Sequence, residues 1–345
     1  MRRRYIKIAI LLVIPLVILV AIIRIPRERD SKQYTLYVYP QSDYKELLEE
    51  LYHNSIIQNR TLFSLLAKHK KLPKTIKVGR YQLSSQMGNI EIIEHLRRGL
   101  QQPHNLVISG RINSMERLAA TLSSKILYDS TEVLKVLKDS LFIDSLGFNS
   151  NTFLGMFLLE SHQIYWTTTP KALVERLHKE YVKFWTPQRE EQAKRINLSP
   201  IEVITIASIV AEESNKSFEH PIIAGLYLNR LKIGMPLQAD PTIRYILRGE
   251  GVTRILYRHL KIDSPYNTYK YRGLPPGPIV AVSPQVIDAT LNYTSHNYLF
   301  FCAKGELDGT HNFAETFSQH NRNVAAYRRA IKALNSAKSI ERAAP

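Results

Sequence analysis

The sequence predicts an α+β protein: two folded units behind an amino-terminal transmembrane helix. Three observations carry this. Ile8 to Ile23 is an apolar run that contains Pro15 and no charge. Residues 34–103 read as a compact strand–helix–helix–strand–helix unit. Residues 104–345 open in regular elements and become loop-rich from Met235 on. The 345 residues are 44% hydrophobic and 22% charged, an ordinary globular balance with room for two domains behind an anchor.

The apolar run is slightly short for a span of about 20 residues. Tyr5, Ile6 and Ile25 extend it, while Lys7 and Arg24 can snorkel. A cleaved signal peptide is the rival reading. No small-x-small site precedes Arg24 and no cysteine offers a lipoprotein anchor, so an uncleaved single-pass anchor over residues 1–33 is expected. Arg2, Arg3, Arg4 and Lys7 precede the run, which favours a cytoplasmic amino terminus; Arg24, Arg27, Arg29 and Lys32 follow it and weaken that argument.

In the first unit TLYVYP (35–40) alternates like a strand, and 43–55 and 60–69 carry helical periodicity with Asp43 and Thr61 as starts. A turn at Gly79, a strand Tyr81–Leu83, a helix from Asn89 and a stop at Gly99 follow. The second unit begins with a strand at 104–109. Helices are expected from Asn113 or Ser114, from Ser130, over 170–185, over 200–214 and from His220 to Lys232, with Gly234 as the last stop. A strand at 298–303 lies among the later loops and holds Cys302. This single cysteine cannot form an internal disulfide or build a zinc site alone, so a packed, inert thiol is expected.

The 200–214 helix carries the chemistry. Ser199, Pro200 and Glu202 form a capping box with a proline start. Ile206, Ile209, Val210 and Glu213 share one face, and Thr205, Ser208 and Glu212 share a more polar stripe. Glu213 is therefore a carboxyl facing apolar packing at a helix C-terminus. Desolvation and the helix dipole both disfavour its ionised form, and a carboxyl kept protonated is a candidate general acid. A solvated acid at a fraying end is the plain alternative.

The later loops are rich in groups suited to sugar hydroxyls and acetamides. Gln238, Asp240 and Thr242 lie in one short loop; Tyr266, Asn267 and Tyr269 lie in another, ahead of GLPPGP; His311 follows. Tyrosines offer flat apolar faces with a hydroxyl. Taken singly, each residue also reads as a turn former or as packing. Ordinary glycoside hydrolysis needs two carboxyls, and Glu212 or Asp240 could partner Glu213; a single-acid route is equally open. The net charge of +17 favours an anionic partner such as acidic lipid or an acidic wall polymer. No Lys/Arg-dense block or RNA-type aromatic motif appears, so nucleic acid is not expected.

The segments ASIVAEES, PIIAGLYLNRLKIGMPLQADPT, SPYNTYKYRGLPPGPI, GTHNF and HNRNV closely resemble the YceG/MltG family of endolytic murein transglycosylases. The likeness runs from about Tyr34 to Arg329 and is densest over 203–323. It implies a small LysM-like domain at 34–103 and a larger YceG-type catalytic domain at 104–345, on the periplasmic side of an inner membrane. It further implies cleavage of the β-1,4 bond between N-acetylmuramic acid and N-acetylglucosamine in nascent glycan strands. Such cleavage leaves 1,6-anhydro ends and terminates elongation, without metal or other cofactor, with peptidoglycan synthases as partners. By resemblance Glu213 is the catalytic acid. Gln238, Asp240, Thr242, Tyr266, Asn267, Tyr269 and His311 are the implied substrate contacts. The chain departs from the family pattern at Ala211, where relatives carry a first Glu, and at Leu159–His162, where they carry a Pro-Asn/Asp-Thr-Tyr core. A membrane-anchored, non-catalytic glycan-binding scaffold is the rival from another class.

Overall fold

The computed structural model describes residues 32–343. The expected anchor, Ile8–Ile23, lies outside the described residues. Among those described, no helix is long and apolar enough to cross a membrane. The chain divides into two compact units. One reaches to Leu106 and takes in Lys125–Tyr128 and His162–Thr169; the other holds Val107–Ser124, Asp129–Ser161 and the chain from Pro170 on.

The first unit runs β1 (Gln33–Val38), α1 (Tyr44–His53), α2 (Arg60–His69), α3 (Leu72–Thr75), β2 (Gly79–Ser84), α4 (Asn89–Arg98) and β3 (His104–Val107), and β3 pairs with β4 (Ser161–Ile164). β1 and β2 are antiparallel, with Leu36 opposite Tyr81 and Val38 opposite Gly79. Period-two alternation buries Leu36, Val38, Tyr81 and Leu83 against Leu47, Leu51, Phe63, Ile92 and Ile93 of the helices. Asp43 caps α1 as expected, by accepting from the Lys45 amide. Asn59, rather than Thr61, caps α2. Gly99 ends α4 with φ 71°, a left-handed geometry that costs glycine nothing.

The second unit runs α5 (Met115–Ser123), α6 (Ser130–Leu137), α7 (Ser140–Ser145), a 3-10 turn Phe153–Met156, α8 (Pro170–Phe184), α9 (Pro187–Arg195) and α10 (Pro200–Glu213). A 3-10 turn Ser217–Glu219, α11 (His220–Lys232), α12 (Asp240–Ile246), a 3-10 turn Tyr257–Lys261, α13 (Pro284–Leu291), the antiparallel pair β5 (Phe300–Ala303) and β6 (His311–Ala314), and α14 (Phe317–Ala343) complete it.

α10 is the axis of this unit. It packs against α11, α12 and α13. Every residue from Val203 to Val210 is buried, which corrects the expected polar stripe. Thr205 and Ser208 face the interior and spend their hydroxyls on backbone carbonyls, Thr205 on Ile201 and Ser208 on Thr205. Ser208 also accepts from the Ile279 amide at 3.0 Å. Small hydroxyls that bond within their own helix travel into a core without an unmet polar group.

Candidate active site

The capped, proline-started α10 delivers Glu213 to its last helical position, and α11 runs back beside it. Tyr227 of α11, 1% exposed, donates its hydroxyl to Glu213 Oε1 at 2.6 Å. Glu213 keeps some solvent contact through a cavity of about 410 Å³. The cavity is lined by Glu213, Arg230, Gln238, Asp240, Tyr269, the β5 residues Phe300 to Ala303, His311, Phe317 and His320.

The carboxyl of Glu213 is pushed up from its ordinary value to about 7. Burial is the largest cause; the Tyr227 hydrogen bond opposes it, Asp240 adds to the rise, Arg230 opposes it and Glu212 adds a little. A carboxyl poised near 7 can give a proton and take one back within one reaction cycle. Burial, Glu213 and its hydrogen bond hold the Tyr227 hydroxyl well above its normal range, so that group stays a donor. Glu212 points elsewhere: Arg111 Nε donates to both its oxygens, at 2.9 and 2.7 Å. It does not line the cavity.

The other sequence-selected residues separate into two groups. Gln238, Asp240, Tyr269 and His311 join Glu213 in the cavity wall. Asp240 opens α12 instead of lying in a loop, and Tyr269 donates to its Oδ1 at 2.6 Å. Gln238 has the left-handed φ of 50° and holds the second loop by donating its amide to the Thr268 carbonyl.

Thr242, Asn267 and Tyr266, expected as substrate contacts, do not line this cavity; the structure places them behind its wall. Thr242 is fully buried; its hydroxyl meets the Ala239 carbonyl at 2.7 Å and the Thr268 hydroxyl at 2.9 Å. Asn267 is also fully buried. It donates to the Leu260 and Ile262 carbonyls at 3.0 and 2.7 Å and accepts from the Tyr269 amide at 3.0 Å. Tyr266 sets its ring centroid 4.8 Å from that of Tyr245, tilted by 44°, and packs on the unit's core. Loops this long must satisfy their own backbone internally, and polar side chains do that work as readily as they bind a ligand.

Reading the sequence missed Tyr227, Arg230 and the aromatic wall of Phe300, Phe301 and Phe317. Arg230 is 6% exposed and pins two walls together, donating to the Leu299 and Leu237 carbonyls at 2.7 and 2.5 Å. Its helical setting in YLNRL reads as a solvated face, so no local signal marks it. Cys302, expected to be packed away, is partly exposed on the cavity wall. Leu159, Glu160 and Ser161 of the divergent segment do not line the cavity; Leu159 instead donates to the Val282 carbonyl. No cluster of three or more His, Cys, Asp or Glu side chains suited to a metal ion occurs among the described residues.

Residues 36–326 match the sequence profile of the YceG-like family. The chain belongs to the YceG-like family. This YceG-like chain is 29% identical over 317 residues to the endolytic murein transglycosylase of Bacillus subtilis strain 168, covering 88% of this chain and 87% of the relative. It is 27% identical to the endolytic murein transglycosylase of Streptococcus pneumoniae serotype 2, with 88% of this chain spanning 60% of that relative. The crystal structure of a YceG-like protein from Listeria monocytogenes superposes with a TM-score of 0.57 at 26% identity, over 84% of this chain and 98% of that one. The mixed α/β architecture is therefore the YceG-like fold.

Proposed function

We propose that this YceG-like protein is an endolytic peptidoglycan lytic transglycosylase with Glu213 as its acid–base residue. One observation carries the reading: a partly buried carboxyl at the end of a core helix, hydrogen-bonded by Tyr227 and raised to about 7, in a cavity walled by tyrosine, histidine and phenylalanine rings. The names of the bacillar and streptococcal relatives support the reaction class.

Protonated Glu213 gives its proton to the glycosidic oxygen between N-acetylmuramic acid and N-acetylglucosamine. The bond from C1 to that oxygen breaks, and the leaving sugar departs with a free hydroxyl. Positive charge develops at C1, which the carboxylates of Glu213 and Asp240 favour. The C6 hydroxyl of the same muramyl residue then bonds to C1 and returns its proton to Glu213. The product carries a 1,6-anhydro ring, no water is consumed, and the enzyme is restored. Tyr227 holds one carboxylate oxygen, which leaves the other for both transfers. Gln238, Asp240, Tyr269 and His311 orient the sugars.

The same reading extends to location and organisation. Ile8–Ile23 anchors the chain in the inner membrane, residues 34–103 form a LysM-like domain, and residues 104–345 form the catalytic domain on the periplasmic side. Support comes from the charge-free apolar run and from the smaller unit, in which helices lie between β1 and β2 and a further helix follows β2. A peptidoglycan synthase is the fitting partner for an enzyme that cuts nascent strands.

Mass analysis of products from purified glycan strands tests the reaction. The wild-type chain should release anhydro-ended fragments, and Glu213→Gln should lose about 10²-fold or more in rate, the usual scale of acid–base catalysis. Glu212→Gln should be far milder, because Arg111 already occupies that carboxylate. A dead Glu212→Gln beside an active Glu213→Gln would overturn the assignment. Reducing-end products from the wild type would mean hydrolysis, and a wild type inert on every strand would favour the scaffold.

A further inference from the structure

Glu219 is a buried carboxyl that the reaction above does not use. It is 2% exposed and ends the short turn between α10 and α11. Its oxygens gather donors from two separate elements, the end of α10 and β6. Oε1 accepts from the His311 amide at 2.8 Å. Oε2 lies 2.8 Å from His311 Nδ1 and accepts from the Ser214 hydroxyl at 2.7 Å. Ser214 directly follows Glu213 and caps α10; its carbonyl meets His220 Nε2 at 2.8 Å. One carboxylate thus ties the end of the acid-bearing helix to β6.

The protonation pattern follows from the donors. Burial by itself would raise the pKa of Glu219, but the bonds from His311 and Ser214 outweigh it and draw the group below its ordinary value. An ionised carboxylate only accepts, so the hydrogen of a neutral His311 sits on Nδ1. The lone pair is then on Nε2, for which the described residues supply no hydrogen-bond partner. His311 lines the cavity that holds Glu213.

We propose that Glu219 is a positioning residue that locks His311 as the Nδ1–H imidazole, so that Nε2 accepts a hydrogen bond from a hydroxyl or acetamide N–H of the glycan in the cleft. The inference rests on the glycan-cleaving reading above. It adds a fixed acceptor to the cavity that holds Glu213, and it assigns that acceptor's orientation to a residue that never touches the sugar.

Glu219→Gln is the informative variant. The glutamine oxygen can still accept from the His311 amide, but its NH2 group faces Nδ1 with a donor. The ring must then take the Nε2–H form, which replaces the acceptor in the cleft by a donor. The full chain, labelled with 15N at histidine and assigned by the ring signals missing from His311→Gln, reads this directly at a pH where the ring is neutral. Wild type should show the Nδ1–H pattern and Glu219→Gln the Nε2–H pattern. On glycan strands, Glu219→Gln should lose about tenfold or more in kcat/KM, the scale of a broken directed hydrogen bond. Joined with His311→Gln it should cost no more than His311→Gln alone, because the two act as one unit.

An Nε2–H wild type, additive losses in the double variant, or an active Glu219→Gln would each overturn the proposal. A wild type inert on all strands would overturn the proposed reaction instead. The ring tautomer and the affinity for an alternating N-acetylglucosamine–N-acetylmuramic acid tetrasaccharide then decide the inference, and an affinity unchanged by Glu219→Gln would end it.

Discussion

At the residue scale the protein's main device is a balance of opposing influences on one carboxyl. Burial, Asp240 and Glu212 push Glu213 up, and Tyr227 and Arg230 pull it down. Tyr227→Phe removes a donor that favours the ionised form, so the pKa of Glu213 should rise further above 7. The alkaline limb of the kcat/KM profile should move to higher pH, while the maximum falls because the weaker acid donates less readily. A limb that stays put or moves down would show that the Tyr227 bond does not tune the acid. The position of Glu213 on α10 was legible from helical spacing alone. Its environment was not. Tyr227 and Arg230 come from the next helix, and the expected oily face proved to be a helix buried on all sides. Spacing reports which residues share a side, whereas burial depends on neighbours that only the tertiary fold supplies.

At the element scale two loop residues of similar chemistry should part company. Asn267 serves the Leu260 and Ile262 carbonyls and the Tyr269 amide from inside the protein. Asn267→Ala should lose about 1–3 kcal/mol of stability, the cost of unmet buried polar groups, and lose cleavage in step with its lowered Tm. Gln238 is exposed on the cavity wall and already left-handed, so Gln238→Ala adds no backbone strain. It should keep its Tm and lose activity. Thermal melts beside rates on glycan strands separate the two; identical behaviour of both variants would defeat the distinction. Gly277 makes a sharper case, since a Cβ there would lie 2.1 Å from the Asn151 carbonyl oxygen. Gly277→Ala must move one of two backbones and should cost at least the roughly 1–3 kcal/mol of ordinary overpacking. Elements announced by caps were legible: α1, α4, α10 and α11 fall where Asp43, Gly99, Ser199 and Gly234 put them. α12 and α13 were missed because Asp240-Pro241 and Ser283-Pro284 read equally as turns and as helix starts. Only the packing that follows tells them apart.

At the scale of the whole molecule the +17 charge should assist approach to anionic wall polymer, so binding to isolated glycan bearing peptide carboxylates should weaken as salt rises. Salt-independent binding would leave recognition to stacking and hydrogen bonding. The neutral pKa of Glu213 also reaches the entire fold. An unfolded glutamate titrates near 4.5 and this one near 7, so between those values the native chain holds a proton that the unfolded chain has released. The Glu213 contribution to stability therefore declines as pH climbs through that window and levels off above it, by on the order of 3 kcal/mol. Glutamine at 213 carries no such titration. Glu213→Gln should match the wild-type melting temperature near pH 4.5 and exceed it at pH 8, a gap that differential scanning calorimetry would resolve. The variant proposed to end catalysis should therefore be the sturdier protein above neutral pH, where the wild-type carboxyl has lost its proton.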